Sequence, residues 1–276
     1  MPQTRAHYTA ADLDAALNRL PLERGDVLFL HSNLGFFGRP EGCTGSADVC
    51  HLFFDTLMRR LGGNGTLVVP TFTYSFPRRQ LFDPAETASG MGAFAEWLRL
   101  HPDAQRSHDP CYSVAAVGAH AETLTAHAPE NSFAPEAFFG RFLNADGVVL
   151  NLNFDAGSTF LHYLERQLGV PYRFDKTFEG HIRERGETRR AKSTIHVRYL
   201  SSEATVPVFE PFHALATEAG LFVTEKLGRG RLGCIRASDC RHLLTETLPR
   251  RPWLLTRAEA LGVIPELIPE PTYQAL

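Results

Sequence analysis

The sequence predicts an α/β layered fold. Short apolar runs rich in strand formers alternate with segments of helical period through the first two thirds of the chain. Gly- and Pro-containing loops separate them. With 276 residues, 43% of them hydrophobic, the chain has ample material for a full core, as one large domain or two small ones.

The elements follow in order. "DVLFLHS" (26–32) reads as the first strand, and the loop "NLGFFGRPEGCTG" follows it. "SADVCHLFFDTLMRRL" places Val49, Leu52, Phe53, Leu57 and Leu61 close to a 3.6-residue period, with Ser46 as the expected N-cap and Gly62-Gly63 as the stop. "GTLVVPTFTYSF" is a second buried strand, "MGAFAEWLRLH" a short helix, "YSVAAVG" a third strand and "AHAETLTAHA" another helix. "GVVLNLNF" is a fourth strand. "GSTFLHYLERQLGVPYR" then reads as a helix from Gly157 or Ser158 to about Leu168, buried through Phe160, Leu161, Leu164 and Leu168 and closed by Gly169.

After Tyr172 the character changes. "HIRERGETRRAKSTIHVRYL" reads as a polar hairpin, with charged turn residues and alternation through Ile195, Val197 and Tyr199. A helix ("PFHALATEAGL"), a short strand ("GRLGCIRAS") and a helix ("ASDCRHLLTETL") follow. The expected division is a core over 1–172 and a smaller α+β part over 173–276 that packs on it and need not fold alone.

Composition removes several classes of function. The net charge is −3, so there is no basic footprint for nucleic acid. No run approaches a membrane span, and the N-terminus lacks the basic-then-apolar design of a signal peptide, so a cytoplasmic protein is expected. The five cysteines (43, 50, 111, 234 and 240) are odd in number and scattered, as buried free thiols would be. The histidines at 101, 108, 120 and 127 do not have zinc-ligand spacing, and no metal is expected. No nucleophile elbow is present for a serine hydrolase, and only Arg106 would favour a Cys111 thiolate.

Four stretches carry candidate chemistry. His162 and Glu165 are i,i+3 neighbours on one side of a helix, and the positive helix end near His162 disfavours imidazolium. A neutral imidazole beside a carboxylate suits a general base, although the same spacing also describes an ordinary surface pair. "HSNLGFFG" delivers a strand into a Gly loop whose amides suit an anion, but it is neither a Walker A nor a GxGxxG motif. "PTFTYSF" puts Thr71 and Thr73 at a strand's carboxyl end, where hydroxyls face a ligand or simply end the strand. "RSHDPCYSVAAVG" sets Arg106, Ser107 and Ser113 around a proline turn.

Taken together and in this order, "HSNLGFFG", "GTLVVPTFTYSF", "FDPAETASGMGAFAEWLR", "RSHDPCYSVAAVG" and "STFLHYLE" resemble the aminoglycoside 3-N-acetyltransferase family over about residues 20–172, and more weakly into "GLFVTEKLGRGRLGCIRASD". The resemblance implies a three-layer α/β/α sandwich with a smaller α+β substrate-shaping part, often a homodimer, using acetyl-CoA as donor and a primary amine as acceptor. It implies His162 as the base and Glu165 as the acid that orients it. It implies that His31, Ser32, Asn33, Leu34 and Gly35 hold the coenzyme's pyrophosphate. Thr71, Thr73, Arg106, Ser107 and Ser113 would line its path, and Asp155, Thr159, Tyr172 and Arg173 would meet the acceptor.

Departures bear on that acceptor. The family's "RSxHPxxS" stands here as "RSHDPCYS", and "NFDAGSTFLH" is one residue longer than the usual form. Between Arg173 and Arg198 eight Lys or Arg residues face four acids. A polycationic aminoglycoside favours an acidic cleft, so an amino sugar, a nucleotide-linked amino sugar or another biosynthetic amine is the expected acceptor. An aminoglycoside resistance enzyme and a non-catalytic CoA-binding protein are the alternatives.

Overall fold

The computed structural model describes residues 6–264 and Leu267. In chain order the elements are α1 (Ala10–Arg19), β1 (Val27–Ser32), α2 (Ser46–Leu61), β2 (Thr66–Pro70), α3 (Ala93–Arg99), β3 (Gln105–Arg106), β4 (Val114–Gly118), α4 (Ala121–Thr125), α5 (Phe138–Asn144), β5 (Val148–Leu152) and α6 (Phe160–Leu168). There follow β6 (Arg173–Glu184), β7 (Glu187–Arg198), α7 (Glu210–Glu218), β8 (Val223–Leu227), β9 (Gly230–Arg236), α8 (Ala237–Thr247) and α9 (Arg257–Leu261).

Seven strands form one mixed sheet in the order β3-β4-β2-β1-β5-β9-β8. β1 lies at its centre, parallel to both β2 and β5. β4 and β9 close on β2 and β5 in the antiparallel sense. Successive side chains of a strand point to opposite faces, and β1 divides accordingly. Val27 and Phe29 join a core with α5, α6 and α8, while Leu28 and Leu30 join a second core with α1, α2 and α3. The sheet is therefore buried between two helical layers, the three-layer sandwich expected. β2 and β5 are buried along their whole length, as parallel strands covered on both faces must be.

The helix ends follow local chemistry. Ser46 is the first helical residue rather than the cap: Gly45 caps α2, and the Asp48 carboxylate reaches back to accept from the amides of Thr44 and Gly45. α4 is shorter than its helical pattern: the backbone turns extended at Ala126, and Arg141 donates to the carbonyls of Ala126 and His127 just beyond it. α6 stops at Gly169, in the left-handed region at φ 72°.

β6 and β7 form a separate two-stranded hairpin, paired from Arg173–Arg198 to Glu184–Glu187. Arg185 and Gly186 turn it with φ of 51° and 83°, the positive values a two-residue primed turn requires. Further along, β8 and β9 extend the main sheet beside β5, so the chain's last third completes it. No helix among the described residues is long and apolar enough to cross a membrane.

Candidate active site

The site lies beyond the carboxyl ends of β1 and β5, whose last residues Ser32 and Leu152 are register partners. Crevices in α/β folds form there. Past β5, Asn153 takes a left-handed backbone at φ 66°, and its side-chain amide donates to the Asn33 carbonyl at 2.9 Å, tying the two strand ends together. The fully buried Asn151 donates to the carbonyls of Asp155 (2.5 Å) and Gly157 (3.0 Å). Asp155 in turn accepts from the Gly157 amide at 2.8 Å. A Cβ on Gly157 would overlap the Phe209 ring, so this tight approach requires glycine. Just before α6, whose N-cap is Thr159, the Ser158 hydroxyl accepts from the Phe160 amide and pairs with His31 Nε2 at 2.8 Å.

This loop delivers His162 in the first turn of α6. Its Nδ1 lies 2.5 Å from Glu165 Oε2, one turn along. Glu165 is fully buried, and its Oε1 accepts from the Tyr172 hydroxyl at 2.6 Å. Arg173 Nε lies 2.8 Å from Oε2 as an ion pair rather than a well-directed hydrogen bond. A carboxylate only accepts, so the proton between the two side chains belongs to Nδ1, and Nε2 carries the lone pair. Arg173 Nη2 caps that lone pair from 3.2 Å.

The electrostatics keep the ring neutral. Burial lowers the His162 pKa, the Arg173 cation lowers it further, and together they outweigh the opposing pull of Glu165. Burial pushes Glu165 up, but the attraction of His162 and Arg173 and the bonds it accepts win, leaving it below the ordinary carboxylate value. A neutral imidazole held by an ionised carboxylate can accept a proton at Nε2 and stabilise the resulting imidazolium.

Two cavities bear on the site, one at the β1 loop and one at His162 itself. One of about 690 Å³ is lined by Ser32, Asn33, Leu34 and Gly35, by Thr44, Gly45 and Ser46 at the start of α2, and by Met91, Gly92 and Phe154. The other, of about 440 Å³, is lined by His162, Thr159 and Arg173, with Tyr74, Arg78, Tyr112, Lys176, Phe178, His196 and Arg198.

The structure brings together some of the sequence-predicted residues and sets others apart. Ser32 to Gly35 share the first cavity; Thr159, His162 and Arg173 share the second. Tyr172 and Glu165 stand behind His162, and Asp155 is engaged in its own turn. His31 lines neither cavity: its ring packs edge-on to Phe29 and bolts β1 to α6 through Ser158, and burial pulls its pKa to about 4.

Thr71, Thr73, Ser107 and Ser113 also line neither cavity. Thr71 and Ser113 bond to each other at 3.0 Å, Thr73 donates to the Pro110 carbonyl, and Ser107 accepts from the Val114 amide. Arg106 donates to the Thr71 and Ser113 hydroxyls and to the carbonyls of Thr71, Pro84 and Thr87. It thereby straps the 83–90 loop to the sheet and holds Met91 and Gly92 at the cavity wall.

Sequence reasoning missed Tyr74, Arg78, Tyr112, His196 and Arg198. Asp109, flagged there only as a departure, accepts from the Cys111 and Tyr112 amides at 2.8 Å and so presents Tyr112 to the second cavity. His196 forms a second histidine–carboxylate pair with Asp175 at 2.9 Å, and its Nε2 has no partner among the described residues. Hairpin pairing supplies the signal that would have found it: with the turn at Arg185–Gly186, Asp175 falls opposite His196 and Arg173 opposite Arg198.

The cysteines are poor nucleophiles. All five are free, and burial pushes the Cys111 and Cys234 thiols to about 12 and Cys50 to about 11. Among the described residues no three His, Cys, Asp or Glu side chains come together as a metal site.

Comparison with known proteins places this arrangement. Aminoglycoside N(3)-acetyltransferase III from a Salmonella species is 27% identical over 253 residues, covering 84% of this chain and 86% of its own length. Aminoglycoside N(3)-acetyltransferase VII of Streptomyces paromomycinus is 29% identical over 266 residues, covering 86% of each chain. Among solved structures, AAC-IIIb in a binary complex with CoASH superposes with a TM-score of 0.74 at 22% identity, covering 88% of this chain and 97% of that one. The YokD protein of Bacillus subtilis superposes at 0.70 with 20% identity, covering 86% and 98%. The sequence profile described as aminoglycoside 3-N-acetyltransferase matches residues 29–249, most of the chain, and the protein belongs to that family.

Proposed function

We propose that the protein transfers an acetyl group from acetyl-CoA directly to a primary amine, with His162 as general base and an acceptor other than a typical aminoglycoside. The observation that carries this reading is the His162–Glu165 pair, whose buried carboxylate fixes Nδ1 as donor and leaves Nε2 at a cavity wall.

The first cavity fits coenzyme A. Its loop offers an unobstructed glycine backbone at Gly35 and Gly45, where an added Cβ would meet nothing within 4 Å. The first-turn amides of α2 have no intrahelical acceptor, a setting that suits phosphate oxygens. Ser32 to Gly35 and the start of α2 would hold the pyrophosphate, with Met91 and Phe154 along the pantetheine. Bound acetyl-CoA supplies an acyl group already activated as a thioester.

The chain's own residues do the rest. An alkylammonium near pKa 10 must lose a proton before it can attack. His162 Nε2 takes that proton as the Arg173 guanidinium yields its place, and Glu165 stabilises the imidazolium through Nδ1. Tyr172 and the sealed surroundings keep the Glu165 carboxylate fixed. No cysteine is required, in keeping with thiols that burial holds protonated. Holding both substrates at one site supplies much of the acceleration.

The acceptor reading rests on the cations around His162, and its members are an amino sugar, a nucleotide-linked amino sugar or another biosynthetic amine. A second reading, aminoglycoside N-acetylation, is favoured by the names of the curated relatives. CoA release from His162→Ala tests the base: a loss of about 10²–10⁴-fold is expected, and retention within a few-fold would end the assignment. Turnover of gentamicin matching that of simple amino sugars would favour the second reading. A homodimer in the cytoplasm completes the proposal, and light scattering checks the assembly.

A further inference from the structure

The cavity at His162 is unusual in its charge. Arg78, Arg173 and Arg198 line it, and among the described residues no Asp or Glu does. Among the described residues, the nearby carboxylates are turned to other work. Glu165 stands behind His162 and neutralises Arg173. Asp175 is held by Arg166 and His196. Arg198 Nη1 donates to the carbonyls of Tyr199 and Ser202 and to the Thr205 hydroxyl, neutral groups that fix the side chain but leave its charge in place. Arg78 lies over the Tyr74 ring at 5.9 Å, and among the described residues no carboxylate pairs with it. Tyr74 itself sits at φ 52°, a strained setting for a bulky residue of the kind that gathers at binding sites.

From this we infer that the acceptor amine also carries an oxyanion, a phosphate ester or a carboxylate, which the Arg78 and Arg198 guanidiniums bind while the amine lies at His162. This rests on the proposed N-acetyl transfer. The chemistry is coherent at both ends of such a molecule. Guanidinium forks match planar or tetrahedral oxyanions. The same cations disfavour an ammonium beside them, which lowers its pKa and helps produce the neutral amine that attacks. A polyammonium substrate meets only the repulsive half of this field.

The test uses the full chain and three matched acceptors: glucosamine 6-phosphate, muramic acid as the carboxylate, and glucosamine, which carries no oxyanion, with gentamicin as the polycation. CoA release gives kcat/KM for each. Calorimetry with CoA saturating gives binding independently of turnover. The expected result is a preference for an oxyanion-bearing member over glucosamine by roughly 10- to 100-fold, the range of a charged hydrogen bond, and the phosphate and carboxylate arms decide which oxyanion fits. Arg78→Ala and Arg198→Ala should each reduce that ratio about tenfold, Arg78→Lys should restore part of it, and added salt should compress it. Glucosamine or gentamicin turned over and bound as well as the oxyanion-bearing members would overturn the inference and leave the transferase reading intact. Tighter, Arg78-dependent binding of the oxyanion-bearing member without acetylation of any amine would uphold the charge selection and remove the transferase reading.

Discussion

Replacing Glu165 with Gln removes one negative charge and little volume, and it separates a functional His–Glu pair from an ornamental one. The carboxylate accepts from Tyr172 at 2.6 Å, meets His162 Nδ1 at 2.5 Å and lies 2.8 Å from Arg173 Nε. With charge centres about 4 Å apart, an imidazolium and a carboxylate attract by about 4 kcal/mol at an effective dielectric near 20. In the variant Arg173 opposes protonation of His162 without a counterweight, so the base becomes weaker. We expect kcat for CoA release to fall about 10²-fold, near the lower end of what general-base loss costs. A base works when neutral, so the acid limb of the pH–rate profile should move to lower pH as the His162 pKa drops. Breaking a buried ion pair also costs about 3–5 kcal/mol of stability, so thermal melts belong beside the kinetics, which should be run well below the transition. A kcat within about fivefold of the parent, with the acid limb unmoved, would refute the argument.

Other perturbations follow from the same structure. Arg173→Met removes a cation that lowers the His162 pKa, so the acid limb should rise toward neutral pH; an unmoved or lowered limb would count against the contact. Burial holds His31 and His196 near 4. The unfolded chain therefore binds more protons between about pH 4 and 6.5, and stability is complete above that window and declines as pH falls through it. His196 accounts for up to about 3 kcal/mol and the more accessible His31 for less; a urea midpoint as high at pH 4.5 as at pH 7.5 would contradict this. Gly157→Ala forces a methyl into the Phe209 ring and should cost about 1–3 kcal/mol as overpacking, read as a lower melting temperature and a weakened kcat because the α6 start shifts. Arg106→Ala releases the 83–90 strap and should raise the KM for acetyl-CoA more than it lowers kcat.

What could be read from the sequence was whatever local spacing encodes. The strands around Phe29, Val68 and Val149 are short apolar runs, and they became the buried centre of the sheet. His162 and Glu165 are three residues apart on one helix, so the helical period alone brings them together. α5 escaped notice because "FFGRFLN" is apolar on most sides and has no period to detect. The resemblance assigned Thr71, Arg106 and Ser113 to a ligand path, but their polar atoms are consumed in strapping a loop to the sheet. Residue type and position cannot distinguish those two uses; only the hydrogen-bond partners can.

The acceptor side was hidden for a different reason. Arg78 belongs to a loop after β2, while Arg173 and Arg198 stand at the two ends of one hairpin. In the sequence the last two are members of a diffuse basic run. Pairing sorts that run. The hairpin tip takes Arg185, Arg189 and Arg190 away toward the surface, where Arg190 meets Glu179. The root sets Arg173 and Arg198 directly opposite each other beside His162. Like charges in that position destabilise a hairpin by up to about 1 kcal/mol. Glu165 answers for Arg173, but among the described residues no carboxylate lines the wall near Arg198. An unfavourable arrangement held in place by three neutral acceptors is one in which the missing negative charge arrives with the substrate.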